Sequence, residues 1–310
     1  MELGRQAQSK SAETMSLRFA GLKPRTLRSY NKALLDYFVW LEHEAMPVPK
    51  TTRKLDDSLA DYLEHLFLDD RPIAYAGHTL SALKRFHPRI RWKIPLAKQY
   101  FSNWKQIYVT RQAVPMPVEV LMAVAGVAAS CKEWGFCTLL LLGYAAFLRT
   151  SEMVDLSFRR LYWNSETGQI IMALPATKTS RVKDESVEVT DSYAAALLNK
   201  VSSQKSRDKL WPGTTRLFRR QLAMYLDFLG LSSVGFTPYS IRRGGASYAF
   251  SQGYTFDTLL VMGRWQSIKT ARIYLDSGRS SLIQLQLPHH AQAPVQHFGH
   301  QLSVILKQLR

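Results

Sequence analysis

Thr237-Pro238-Tyr239-Ser240-Ile241-Arg242-Arg243-Gly244-Gly245-Ala246-Ser247-Tyr248, then Met262-Gly263-Arg264-Trp265-Gln266 and Arg272-Ile273-Tyr274-Leu275-Asp276, is the stretch on which the reading of this chain turns. Thr237-Pro238 reads as a helix start, because proline fixes φ and has no N–H to lose in a first turn. A helix over Ser240 to Ser251 follows, stopped by Gly253. Phe256, Leu259, Leu260 and Met262 recur on one side of a second segment that ends at Gly263, and a third short helix is expected to carry Tyr274. Arg242 falls at the start of the first helix, where backbone N–H groups favour an anion, so guanidinium and helix end can share one phosphate. An arginine and a tyrosine taken singly are ordinary surface or packing residues; their order and spacing carry more.

Tyr239-Ser240-Ile241-Arg242, then Trp265, then Tyr274 nine residues on, resembles the box of the tyrosine recombinase (phage integrase) family: His-x-x-Arg, then His or Trp, then a nucleophilic Tyr. The Arg-Arg-Gly-Gly-Ala and Gly-Arg-Trp wording is most similar to eukaryotic mobile-element members such as the Crypton-type recombinases. One position departs from the family: Tyr239 stands where a His is usual.

The chain has 310 residues, enough for two domains with cores of their own. Its 41 Lys and Arg against 24 Asp and Glu leave a formal charge of +17, which points to a polyanionic partner, nucleic acid first. A membrane surface would call for a basic amphipathic anchor or lipid signal, and neither is present. The longest apolar run, Phe136 to Leu148, is shorter than the roughly 20 residues a bilayer span needs. Met1 to Ser16 is polar, with charges of both signs, unlike a signal peptide. Cys131 and Cys137 have no flanking His and suggest neither a metal site nor a disulfide framework. An intracellular protein that stays with DNA is expected, nuclear in a eukaryote, in the nucleoid or cytoplasm of a bacterium.

Residues 1–16 read as a flexible lead. From Pro24, the apolar positions Leu27, Tyr30, Leu34, Tyr37, Phe38 and Leu41 recur at three- and four-residue intervals, as on one helix face. Patterns over Asp56 to Leu68, Ala74 to Phe86 and Leu96 to Thr110 add three more helices, so residues 17–110 form a compact helical unit. Arg25, Arg28, Lys32, Lys84 and Arg85 stud it, with Arg89, Arg91, Lys93, Lys98 and Lys105. One such residue is a solvated face; with the total charge they suggest a DNA-facing side. The resemblance implies a core-binding domain here that clamps one side of the duplex, and the same role is expected of Arg243 and Arg264 in the C-terminal box.

Arg111 to Pro117 reads as a linker, with prolines at 115 and 117. Residues 118–287 should be the second domain, mainly α with a small β-hairpin. Val118 to Ser130 and Trp134 to Leu148 are its core helices. The second runs into Leu148-Arg149-Thr150-Ser151-Glu152, and an Arg closing so apolar a run needs compensation, which Glu152 can give. A structural ion pair explains both residues; the wording also resembles the family's first-arginine motif, in which Arg149 binds phosphate and Glu152 orients it. Gly168 to Leu174 and Ser186 to Thr190 read as strands around a long tip that holds Lys178 and Lys183. Thr177-Lys178-Thr179 resembles the family's hairpin lysine, with Lys183 the second choice. Asp191 to Val201 and Thr215 to Leu229 read as helices. The tail, 288–310, has Pro288 and Pro294 and then Leu302, Val304, Ile305 and Leu309 as a turn or two of amphipathic helix, docked on its own domain or on a neighbouring protomer.

Metal-free cleavage of a phosphodiester needs a nucleophile, charge neutralisation, a proton for the leaving oxygen and alignment. The resemblance implies Tyr274 as nucleophile through a 3′-phosphotyrosine, Arg149 and Arg242 on the phosphate, Lys178 as acid, and Trp265 on the phosphate or packing the Tyr274 segment. No cofactor or metal is expected, and the implied partners are double-stranded DNA and further copies of the chain, a dimer per site and a tetramer in synapsis. Tyr239 keeps a hydrogen bond but is a poor base at neutral pH. Three other readings stay open: a DNA-binding protein retired from catalysis, a type IB topoisomerase-like strand cutter, and a basic RNA-binding or scaffold protein in which the motifs arise by chance.

Overall fold

The computed structural model describes residues 21–108, 112–175, 184–203 and 208–309, and the chain divides into two compact units, 1–111 and 112–310. The described part of the first unit is helical: α1 (Pro24–His43), α2 (Thr52–Leu68), α3 (Ala74–Phe86) and α4 (Pro95–Ile107). Helix α1 opens on Pro24, and α2 is capped by Thr51, whose hydroxyl accepts the Lys54 N–H at 3.3 Å. That cap lets α2 start well before Asp56. The Asp56 carboxylate, buried on α2, accepts the Leu96 and Ala97 N–H groups at 3.0 and 2.9 Å, so one side chain caps α4 and ties it to α2. Tyr37, Trp40, Leu59, Leu63, Leu80 and Trp104 fill the core between the four helices.

In the second unit α5 (Val118–Ser130) and α6 (Trp134–Ala145) are apolar on nearly every side and lie at the centre. Around them run α7 (Thr150–Asp155), β1 (Leu161–Trp163), β2 (Gln169–Pro175), β3 (Asp184–Thr190), α8 (Ser192–Ser203), α9 (Thr215–Phe228), α10 (Pro238–Ser251), α11 (Phe256–Gly263), α12 (Ile268–Arg272), α13 (Ser277–Leu285) and α14 (His289–Leu309). The strands form an antiparallel sheet in the order β1-β2-β3, with Met172 opposite Leu161 on one side and Val187 on the other. Ile170, Met172 and Leu174 alternate into the core with Val187 and Val189. Strand β1 has no counterpart in the sequence reading, because three residues carry no period and only pairing with β2 makes them a strand. Lys178 and Lys183 lie outside the described residues.

Helix α6 and the tail also depart from expectation. Helix α6 stops at Ala145 instead of Leu148: Phe147 turns left-handed at φ 48°, and the Leu148 N–H returns to the Gly143 carbonyl at 3.0 Å. The tail is one long helix, α14, with Pro294 near its start, where a missing N–H removes a single bond. It packs on α5 of its own unit and buries Ala291, Val295, Leu302 and Leu306.

Candidate active site

The Arg-Arg-Gly-Gly run works through its glycines. A Cβ on Gly244 would fall 2.1 Å from the Met116 carbonyl oxygen, and one on Gly245 2.0 Å from that of Tyr144, so only glycine lets α10 press against both. Thr237 caps α10 reciprocally with Ser240, whose hydroxyl accepts the Thr237 N–H at 2.9 Å. The close approach sinks Arg242 and Arg243 to 1% and 2% exposure.

Arg242 donates through Nη1 to the Phe147 carbonyl and through Nη2 to the Gly263 carbonyl at 2.7 Å. Its guanidinium carbon lies 5.2 Å from the Trp265 ring centre and 5.1 Å from that of Tyr274. Burial first, then the charge of Arg264, lowers its pKa to about 10, which leaves it protonated at neutral pH.

Arg149 is the N-cap of α7. Its N–H bonds to Glu152 Oε2 at 2.7 Å and its Nη1 to Oε1 at 2.6 Å. Glu152, itself buried, also accepts Nη2 of Arg264 at 2.8 Å, and the same Nη2 reaches the Phe147 carbonyl at 3.3 Å. Arg264 gets there because it closes α11 in the left-handed region at φ 53°, with the Trp265 N–H folded back to the Leu260 carbonyl at 2.9 Å. Left-handed backbone costs a non-glycine residue about 1–2 kcal/mol. Both such turns, at Phe147 and Arg264, deliver a group to this site.

Trp265 stacks on Phe147 with ring centres 6.1 Å apart, and Tyr274 lies 4.6 Å from Trp265 on the same hydrophobic patch. Tyr274 falls in the turn after α12, not inside a helix as expected. Tyr239 brings its ring within 5.5 Å of Tyr274. Partial burial first, then hydrogen bonding to Tyr274, pushes the Tyr239 hydroxyl above the ordinary phenol range, against the opposing pull of Arg242 and Arg243.

Glu152 thus pairs with two guanidinium groups, Arg149 and Arg264, and Arg242, held by carbonyls alone, adds a third beside Tyr274, so three positive charges face one carboxylate. Nε of Arg242, Nε and Nη1 of Arg264 and Nε1 of Trp265 are buried without a hydrogen-bond partner among the described residues. Such a site is made for an anion. Among the described residues no three His, Cys, Asp or Glu side chains gather as metal ligands.

Neither a protein-family model nor a curated protein sequence matches the chain significantly. Solved structures do. The chain is similar to a lambda integrase dimer bound to a COC′ core site (TM-score 0.59, 12% identity, 88% of this chain and 76% of that one). It is similar to XerH site-specific recombinase in a post-cleavage complex with palindromic difH (TM-score 0.61, 14% identity, 83% and 78%). The Tn1549 transposon integrase with circular intermediate DNA aligns at TM-score 0.57 and 12% identity, over 84% and 99%. The fold is that of the tyrosine recombinases.

On this tyrosine-recombinase fold, Arg149, Glu152, Arg242, Trp265, Tyr274 and Tyr239 come together in the second unit. Of Arg243 and Arg264, expected as DNA contacts, Arg243 is buried and the side chain of Arg264 is turned inward. Arg243 donates to the Ala113 carbonyl at 2.7 Å and faces Asp276 at 3.8 Å, and Arg264 is the third guanidinium of the site. Nothing in the sequence distinguishes them from solvated arginines, because their burial depends on glycine contacts and a helix end. In the first unit Arg25, Arg28, Lys32 and Arg85 are exposed, with Lys32 paired to Asp36 at 3.3 Å. Lys84 is half-buried; burial, then Lys98, Lys105 and Arg91, lowers its pKa. Arg91 and Lys98 flank the exposed ring of Trp92 at 5.5 and 5.1 Å, so a basic and aromatic surface lies there. No described helix is long and apolar enough to cross a membrane.

Proposed function

We propose that the protein is a site-specific DNA recombinase that cuts and rejoins strands through a covalent bond to Tyr274. The observation that carries this is the guanidinium cluster of Arg149, Arg242 and Arg264, only partly balanced by Glu152, packed beside the Tyr274 ring. A scissile phosphate supplies the missing anion, and the charge it gathers in the transition state strengthens these bonds further. Tyr274 Oη forms a bond to phosphorus as the bond to the 5′-oxygen breaks; the phenol proton is lost and the departing oxygen takes one up. Lys178 is the proposed donor of that second proton. The 3′-phosphotyrosine keeps the ester's energy, so a 5′-hydroxyl of another strand reverses the step without ATP.

Tyr239 enters as a neutral hydrogen-bond donor to the Tyr274 oxygen, a role its raised pKa supports, and not as the base a His would be. The exposed basic residues of the first unit hold the duplex by its phosphates. Similar structures hold DNA as a dimer and, for lambda integrase on a Holliday junction, as a tetramer, which supports assembly of several copies on paired sites. A topoisomerase-like enzyme would act as a single copy.

The test is a nicked duplex from the DNA flanking the protein's own gene, incubated with wild type and with Tyr274→Phe in EDTA. An SDS-resistant complex that disappears in the variant is expected. Salt-sensitive binding with no covalent complex at any pH from about 6 to 10, the range around a phenol's ordinary pKa, would leave a retired DNA-binding protein in its place.

A further inference from the structure

Tyr274 lies in a stretch with little stability of its own. Helix α12 spans only Ile268–Arg272, and after the Tyr274 N–H bonds to the Ala271 carbonyl at 2.8 Å the chain leaves the helix. The Tyr274 carbonyl and the Asp276 N–H, at the N-cap of α13, therefore need partners from elsewhere. One hydroxyl meets both: Ser247 Oγ donates to the Tyr274 carbonyl at 3.1 Å and accepts the Asp276 N–H at 3.0 Å. Ser247 is 1% exposed and stands on α10, the helix that carries Arg242.

We propose that Ser247 is the positioning residue that fixes the Tyr274 backbone to the Arg242 helix; this rests on reading Tyr274 as the nucleophile. The rings of Trp265 and Arg242's guanidinium hold the Tyr274 side chain by its faces, which permits sliding, whereas two hydrogen bonds to the main chain on either side of Leu275 do not. The tie needs a group that donates and accepts at once, and a serine hydroxyl is the smallest that does both. Arg243 to Asp276 at 3.8 Å is a second, longer tie from the same helix, to a carboxylate open to solvent. Among the described residues Ser247 bonds only to backbone, which suits holding the chain and not moving a proton. Its removal should lower the rate equally at every pH.

The experiment compares wild type, Ser247→Ala and Ser247→Thr in single-turnover cleavage of the nicked duplex, with amide hydrogen exchange on the free proteins. Ser247→Ala should form the Tyr274 adduct about ten- to a hundredfold more slowly, as expected for a misplaced reacting atom, with unchanged Kd for DNA and an unchanged pH profile. Ser247→Thr, which keeps the hydroxyl, should recover most of the rate. In Ser247→Ala the Asp276 amide should lose protection while the amides of α10 keep theirs, a readout that does not depend on DNA. Wild-type adduct formation matched by Ser247→Ala, Asp276 protection unchanged in Ser247→Ala, or protection lost across the whole unit would each overturn the inference and leave the recombinase reading standing. A wild-type protein with no Tyr274-dependent adduct overturns that reading, and the inference with it.

Discussion

The two units use the same positive groups in opposite ways. Arg25 and Arg28 on α1 stand in solvent, while in the second unit Arg242 and Arg243 are buried and the Arg264 side chain is only 7% exposed, fixed by carbonyls and carboxylates. A solvated charge is worth little singly, is screened by salt and acts through its sum with others. A buried guanidinium has lost its water, so each of its acceptors matters and its position is set to a fraction of an ångström. The first arrangement suits holding a uniform polyanion, the second suits acting on one phosphate.

That difference orders the expected effects of substitution. Arg242→Ala should be the most severe: it removes a phosphate donor, takes the side-chain donor from the Gly263 carbonyl and leaves the Phe147 carbonyl only the longer bond from Arg264. Adduct formation should fall by about a thousandfold, the upper range for losing one such donor, and the melting temperature should drop with it. Glu152→Gln comes next. It leaves Arg149 and Arg264 without a counter-charge, at a cost of about 3 kcal/mol in a denaturant titration; a variant as stable as wild type would show that the guanidinium cluster tolerates its own charge.

Tyr239→His should change the form of the pH dependence more than its height. The Tyr239 hydroxyl, raised above the phenol range, stays protonated at every pH at which the protein is handled, so it contributes no titration. A histidine titrates near pH 6.5, and the positive charges of Arg242 and Arg243 displace that downward; it accepts a proton only above its pKa. The variant's cleavage rate should therefore rise with pH through a step below about 6.5. Identical profiles would remove Tyr239 from the reaction.

Smallest of all, Arg25→Ala or Arg28→Ala should weaken DNA binding only a few-fold near 0.1 M salt and reduce the slope of log K against log salt by about one each. Either substitution costing as much as Arg242→Ala would break the comparison between the units.

Much of this was legible in the amino-acid order. Pro24 and Thr237-Pro238 mark helix starts, and the helices over 74–86, 118–130 and 256–263 follow their patterns to the residue. Tyr274, by contrast, reads as helical from its neighbours, yet the chain turns out of α12 just before it, since Ser247 and the α13 cap offer its backbone other partners. Phe147 is the sharper case. A phenylalanine is a poor candidate for left-handed backbone, so no local rule ends α6 there, and the carbonyl that this turn frees is the acceptor shared by Arg242 and Arg264.

What the sequence alone determined was the set of local elements and the order of Arg149, Arg242, Trp265 and Tyr274 along them, because caps, prolines and hydrophobic period act over a few residues. Which arginines are sunk and which stay wet was decided only in the tertiary structure. Burial is a property of what packs against a residue: Gly244 and Gly245 admit Met116 and Tyr144 to α10, and a left-handed turn at Arg264 carries its guanidinium to Glu152, more than a hundred residues earlier in the chain.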